Sequence, residues 1–387
     1  MYPPMTVYID TTDALAAFCR SVSEDAFVTV DTEFIREKTY WPQLCLVQVA
    51  GEKQAVVIDP LSDRLSLDPL HDLMQAPILK VFHAARQDVE IFHNLTGQVP
   101  GPLFDTQIGA MACGFGESVG YENLIGKLVG AKIDKSSRYT DWSRRPLTER
   151  QLDYALSDVT HLRPAYGKLH DQLERKGRKD WIHDEMKILS DPGTYLVNPD
   201  EAWKRIRVRN PKPRMLTVLR EVTRWRELEA RSRNMPRAWV LKDEAVLEIA
   251  AGMPKTPEDL SRIRGLGRGG SAKEQESLLA AVRRGLEVPD HLCLKPEDRT
   301  ELSGSDQAVI EMLKVLLKIK AEEHDVAPRL IAGTEDLEAL AVGSDPHISP
   351  LRGWRRVVFG DDALALRDGK LGLSIRGGRI HVAPVQH

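Results

Sequence analysis

Apolar residues cluster in short runs through the first third of the chain and fall at helical spacing after it. Phe27 to Phe34, Leu44 to Ala50 and Gln54 to Ile58 read as strands, and Gly51-Glu52-Lys53 between the last two reads as a hairpin turn. A fourth run, Ile78 to Phe82, leads into a helical pattern over Ala84 to Leu95. Leu103-Phe104-Asp105, a helix-like segment from Thr106 and another from Tyr121 to Val129 follow. Hairpin-linked strands followed by strand-helix alternation predict an α/β sheet of mixed direction, flanked by helices.

Thr148 to about Lys176 reads as one long helix, opened by a Thr148…Gln151 capping box and bent near Pro164. Leu152, Ala155, Leu156, Val159 and Leu162 are its core-facing stripe. The first domain closes near Asp191-Pro192-Gly193, giving a boundary of 1–195. From about Asp200 the texture is helical only, and two further units are expected at 208–290 and 295–387. In the last of these, Val309, Ile310, Leu313, Leu316 and Leu317 repeat at helical spacing.

Composition adds three constraints. At 387 residues the chain exceeds the usual size of one hydrophobic core, so several domains are expected. Net charge is only −3, which excludes a uniformly basic nucleic-acid binder and leaves local segregation of charge as the route to such affinity. Lys204, Arg205, Arg207, Arg209, Lys212, Arg214, Arg220, Arg224 and Arg226 supply one such segregated region, although solvated helix faces would give the same pattern. Cys19, Cys45, Cys113 and Cys293 are scattered without metal spacing, and the N-terminal MYPPMTVYID has neither a basic nor an apolar leader region. No apolar run approaches membrane-spanning length, so a cytoplasmic protein free of membrane partners is expected.

The candidate chemistry lies in acids. Asp31 and Glu33 end an apolar strand two residues apart and therefore share a face that should otherwise be buried. A hard divalent cation, Mg²⁺ or Mn²⁺, would neutralise the pair; a solvated strand end would equally tolerate it. Asp88 falls in the early turns of its helix, where the helix dipole favours an acid. Tyr154 and Asp158 lie four residues apart on one helical face, a spacing that also suits a simple hydrogen-bonded pair.

Taken together, Asp31-x-Glu33, Asp88 and Tyr154-x-x-x-Asp158 resemble the three motifs of the DEDD exonuclease superfamily in its tyrosine-containing branch. Asp31-Thr32-Glu33-Phe34, Thr39-Tyr40-Trp41-Pro42, Leu44-Cys45-Leu46-Val47-Gln48, Asp134-Lys135-Ser136 and Asp141-Trp142-Ser143-Arg144-Arg145-Pro146-Leu147 are similar to the bacterial ribonuclease D family. Trp225-Arg226-Glu227, Asn234-Met235-Pro236 and Ile263-Arg264-Gly265 resemble the HRDC helical domain that follows the nuclease there. Gly353-Trp354-Arg355-Arg356 and Phe359-Gly360 resemble a second, more divergent copy.

The resemblance implies an α/β ribonuclease H-like exonuclease domain followed by two all-α HRDC-like domains. It implies 3′→5′ removal of nucleoside 5′-monophosphates from RNA with two divalent ions, Mg²⁺ or Mn²⁺. Asp31, Glu33, Asp88 and Asp158 would be the metal ligands, and Tyr154 would hold the attacking water. RNA with a single-stranded 3′ end, tRNA precursors among them, would be the partner, met by a monomer. Tyr40, Trp41 and Trp142 are candidates to stack on terminal bases, and Lys135, Arg138, Arg144 and Arg145 are candidates for phosphate contacts. His83, Gln87 and His161 lie near the ligands in sequence and fit either hydrogen bonding to them or ordinary packing. A DNA exonuclease of the same superfamily would carry the same acids, because only a contact to the 2′-hydroxyl separates the two substrates. A non-catalytic RNA-binding scaffold is the other reading, and the intact acids weigh against it.

Overall fold

The computed structural model describes residues 7–134, 140–209, 211–264, 271–296 and 302–385. They group into two compact units: residues 1–33, 46–194 and 300–387 form the first, and 34–45 with 195–299 the second.

A six-stranded mixed sheet centres the first unit, in the order β1-β4-β3-β2-β5-β6. Its strands are β1 (Val7–Ile9), β2 (Phe27–Ile35), β3 (Gln43–Ala50), β4 (Ala55–Ile58), β5 (Leu79–Phe82) and β6 (Leu103–Asp105). The expected hairpin joins β3 and β4 in antiparallel register, Val49 opposite Val56 and Ala50 opposite Ala55, with Gly51 N–H donating to the Gln54 carbonyl at 2.8 Å. Side chains of β3 from Leu44 onward and all of β4 are buried, as expected of strands covered on both faces. β2 runs parallel to β5, and β5 to β6. The edge strand β1 and helices α1 (Thr12–Val22) and α2 (Asp68–Gln75) were not anticipated, β1 because three residues carry no readable alternation.

α3 (Arg86–Thr96), α4 (Thr106–Ala112) and α5 (Tyr121–Leu128) follow where helical spacing predicts them. The single long helix expected from Thr148 is two: α6 (Glu149–Thr160) and α7 (Leu162–Arg175). Pro164 has no N–H for the Thr160 carbonyl, and the carbonyls of Ser157, Asp158 and Val159 accept side-chain hydroxyls from Tyr121 and Thr29 at 2.6–2.8 Å. The break thus begins one turn before the proline. The Thr148–Gln151 capping box is present as read.

Residues 302–385 depart from the expectation of a separate all-α domain in two ways. Ile310, Leu313, Leu316 and Leu317 of the long helix Gly304–Glu323 share one buried cluster with Ala110, Leu124, Ala165 and Leu169 of α4, α5 and α7. The stacked rings of Trp181 and Trp354, with centroids 4.0 Å apart, and the buried Arg355, bonded to Asp184 at 2.7 Å and to the Leu330 carbonyl at 2.8 Å, reinforce that contact. The segment also ends in a β-hairpin, β7 (Leu371–Arg376) against β8 (Arg379–Pro384), so it is not purely helical.

The second unit is helical as expected, built on a 20-residue helix, Pro213–Ser232, that packs against Asp243–Gly252 and Ala272–Glu287 around Leu219, Val222, Val246, Ile249 and Val282. Gly285 is required at its position, because a Cβ there would lie 2.7 Å from the Val218 Cα. Several arginines of the basic run serve this fold: Arg214 binds the last carbonyls of the helix ending at Glu287, Arg224 pairs with Asp200 at 2.9 Å, and the buried Arg226 pairs with Asp243 at 2.6 Å. Lys204, Arg205, Arg207, Arg209 and Lys212 are the exposed part of that run.

Candidate metal centre

Alternation along β2 sends Asp31 and Glu33 to one face. Two side chains then bring α6 to that face. Thr29, on the same face of β2, donates its hydroxyl to the Val159 carbonyl at 2.8 Å, and Arg163 at the start of α7 reaches the carbonyls of Phe27 and Ala50 at 2.8 and 3.0 Å. The result is that Asp31, Glu33 and Asp158, 127 positions apart along the chain at the extremes, offer carboxylate oxygens that all lie within 4.8 Å of one another.

Asp88 joins from α3. Its Oδ1 accepts the hydroxyl of Thr32 at 2.5 Å, so the residue between Asp31 and Glu33 on the opposite face of β2 ties the fourth acid to the strand that carries the first two. Burial and the nearby Asp158 charge hold the Asp31 carboxyl well above its ordinary range. Burial and Asp31 do the same to Asp88, against the pull of the Thr32 hydroxyl. The donor set, four crowded carboxylates with no His or Cys, suits Mg²⁺ or Mn²⁺ rather than Zn²⁺.

The residue that aims Asp88 lies outside the motifs that spacing picks out. The turn from β5 into α3 passes through Ala84 at φ 58°, a left-handed conformation that L-residues rarely adopt. Buried Asp105, at the end of β6, accepts the N–H groups of Ala84 and Ala85, one on each oxygen at 2.9 Å, and caps α4 through Gln107 N–H at 2.8 Å. An acid directly preceding a helix-like segment was the available signal, since Asp is a preferred N-cap residue.

Tyr154 lies one helical turn before Asp158, with its ring 6.1 Å from that of Trp142 and tilted by 31°. Trp142 is only 2% exposed, so it packs beside Tyr154 and is no open platform for a base. Arg145 is likewise occupied: it forms a two-pronged ion pair with Asp59 at 2.6 and 2.7 Å and donates to the Trp142 carbonyl at 2.8 Å. Arg144 stays exposed, 3.3 Å from Asp141. Lys135 and Arg138 lie outside the described residues.

In the second unit Tyr40 is buried, its hydroxyl donating to Glu227 and accepting from Arg231 and Arg237 at 3.0 Å, which removes its ring from any base. Trp41 is exposed, its ring edge-on to that of Tyr40. Of the neighbouring polar residues, His83 is tied to the Thr106 hydroxyl at 3.0 Å, and burial pushes its imidazole down to about 4, so it stays neutral. His161 Nδ1 sits 2.9 Å from the Ser157 carbonyl, and Gln87 is exposed.

A 3′–5′ exonuclease family model matches residues 6–174, and an HRDC domain model matches 215–282. Ribonuclease D of Gluconacetobacter diazotrophicus is 49% identical over 383 residues, 98% of each chain, and that of Granulibacter bethesdensis is 46% identical over 97% of this chain and 96% of its own. The crystal structure of Escherichia coli RNase D superposes with a TM-score of 0.81 at 31% identity, covering 94% of this chain and 99% of that one. Members of this DEDD superfamily use divalent metal ions. With its acids gathered on β2, α3 and α6 as described, the chain belongs to the ribonuclease D family of 3′–5′ exoribonucleases.

Proposed function

We propose that the chain trims RNA from single-stranded 3′ ends, releasing nucleoside 5′-monophosphates with two divalent ions, Mg²⁺ or Mn²⁺, and that structured RNAs such as tRNA precursors are its substrates. The observation that carries the reading is the convergence of Asp31, Glu33 and Asp158 within 4.8 Å, with Asp88 tied alongside through Thr32. These four residues would hold the ions, which when bound activate a water and offset the charge that builds on the scissile phosphate. Tyr154 would orient that water through its hydroxyl. The E. coli relative is described as an exoribonuclease involved in structured RNA processing, which supports the substrate class. Four buried cysteines without a disulfide and no described helix long and apolar enough to cross a membrane suit a cytosolic setting.

The test is to incubate matched 3′-tailed RNA and DNA with Mg²⁺, Mn²⁺ or chelator and identify products, alongside Asp31→Asn and Asp158→Asn. RNA-selective release of 5′-monophosphates, abolished by chelator and by either variant, is expected. The same variants should also lose the rise in melting temperature that Mn²⁺ gives the parent. Internal cuts, cyclic phosphates or near-normal turnover by either variant would refute the reading.

A further inference from the structure

The C-terminal ribbon carries positive charge that no ion pair among the described residues balances. Residues 369–385 contain Lys370, Arg376, Arg379 and His381 but no Asp or Glu, in a chain whose net charge is −3. Among the described residues, Lys370, Arg376 and Arg379 have no side-chain hydrogen bond or ion pair, whereas many other arginines of the chain are paired.

Register explains how the ribbon stands. Leu373 pairs with Val382 and Ile375 with Ile380 on one face, and Ser374 pairs with His381 and Arg376 with Arg379 on the other. Leu371, Leu373 and Val382 pack onto the buried cluster of the first unit and anchor the base. Beyond them, residues 374–381 are exposed on both faces, so the distal half projects from the body. Gly377 and Gly378, at φ 57° and 76°, make the turn that sets Arg376 and Arg379 opposite each other at the tip. A fold with only an edge to protect would blunt it with charge of either sign; three cations, Lys370, Arg376 and Arg379, and no acid form a surface complementary to a polyanion.

We infer that this ribbon binds the phosphate backbone of the double-helical body of an RNA whose 3′ tail is being trimmed. The inference rests on the reading of structured RNA as substrate. A-form RNA offers phosphates across a wide, shallow minor groove, where a narrow two-stranded ribbon with arginines at its tip can reach both strands. The contact is to the backbone, so it is independent of sequence and acts on substrate capture, not on hydrolysis.

Two substrates separate this from the trimming activity itself: a stem with a 3′ single-stranded tail, and the same tail alone. Full-length protein carrying Arg376→Glu and Arg379→Glu should show about a tenfold higher KM on the stem substrate, with kcat unchanged and the tail-only KM within about twofold of the parent. The slope of log affinity against log salt on the stem substrate should fall by between one and two. Arg376→Gln with Arg379→Gln should give a smaller effect in the same direction. Equal KM for parent and variants on both substrates, as expected if the ribbon instead docks a protein, would overturn the inference, and so would equal loss on stem and tail. Failure of the parent to release 5′-monophosphates from either RNA would instead refute the function proposed above.

Discussion

Asp105 and Ala84 lie 21 residues apart and fix one another: the carboxylate accepts the Ala84 N–H at 2.9 Å, and Ala84 holds the left-handed backbone that turns β5 into α3. Through that turn Asp105 sets where Asp88 points, although it reaches no ligand position itself. Buried N–H groups left without an acceptor cost about 1–3 kcal/mol each, so Asp105→Ala should lower stability by about 2–4 kcal/mol. Ala84→Gly should stay within about 1 kcal/mol of the parent, because glycine adopts this backbone freely but loses more entropy on folding. Urea unfolding of the metal-free protein measures both, and an Asp105→Ala variant as stable as the parent would show that the turn needs no clamp.

Thr32→Val keeps the shape of β2 and deletes only the hydroxyl that Asp88 accepts. Outer partners of metal ligands commonly contribute 10–100-fold to metal affinity. Mn²⁺ titrated calorimetrically should therefore bind at least one site about tenfold more weakly in the variant. Unchanged binding would mean that α3 alone positions Asp88.

Asp59 ties the segment before α6 to the sheet through Arg145 and also accepts the Tyr8 hydroxyl. Burial alone would raise the Asp59 carboxyl, but hydrogen bonds from Arg145, Tyr8 and the Leu61 N–H outweigh it and hold the group below its ordinary 3.8. The folded state then binds fewer protons than the unfolded one, so the contribution is complete above about pH 4 and is lost as pH falls through the lowered value. Arg145→Met should cost about 1–3 kcal/mol at pH 6, and its stability should converge on that of the parent as pH falls through the lowered Asp59 value. Parallel stability curves across that range would remove Asp59 as the group responsible.

Tyr40 distinguishes packing from substrate binding. If its hydroxyl serves the Glu227–Arg231–Arg237 network, Tyr40→Phe should destabilise the second unit by about 1–3 kcal/mol and leave the KM for RNA unchanged. A several-fold rise in KM at parental stability would return the ring to the substrate.

Much of the fold was legible because its signals are local. The Gly51-Glu52-Lys53 turn, the Thr148–Gln151 cap and the β5-to-α3 succession each depend on a few neighbouring residues, and each stands where alternation, capping chemistry or helical spacing puts it. Tyr40, Trp142 and Arg145 are candidates for substrate contact by sequence because residue type signals stacking and charge but not burial; their partners Glu227, Tyr154 and Asp59 lie up to 187 positions away. The final segment read as an independent helical unit for a similar reason. Its apolar stripe announces a buried face without saying that α4, α5 and α7 are what covers it.

Order and type of the chemical groups were thus determined by the chain itself: two acids on one strand face, a third early in a helix, and a tyrosine and a fourth acid one turn apart, each dictated by backbone periodicity. Their meeting was decided only by tertiary structure, where Thr29, Arg163, Thr32 and Asp105 pin α6 and α3 to β2 by hydrogen bonds across 56 to 136 positions and across the β5–α3 turn. Periodicity fixes which way a side chain faces along its own element; which elements face each other depends on burial and long-range hydrogen bonding, which no local pattern encodes.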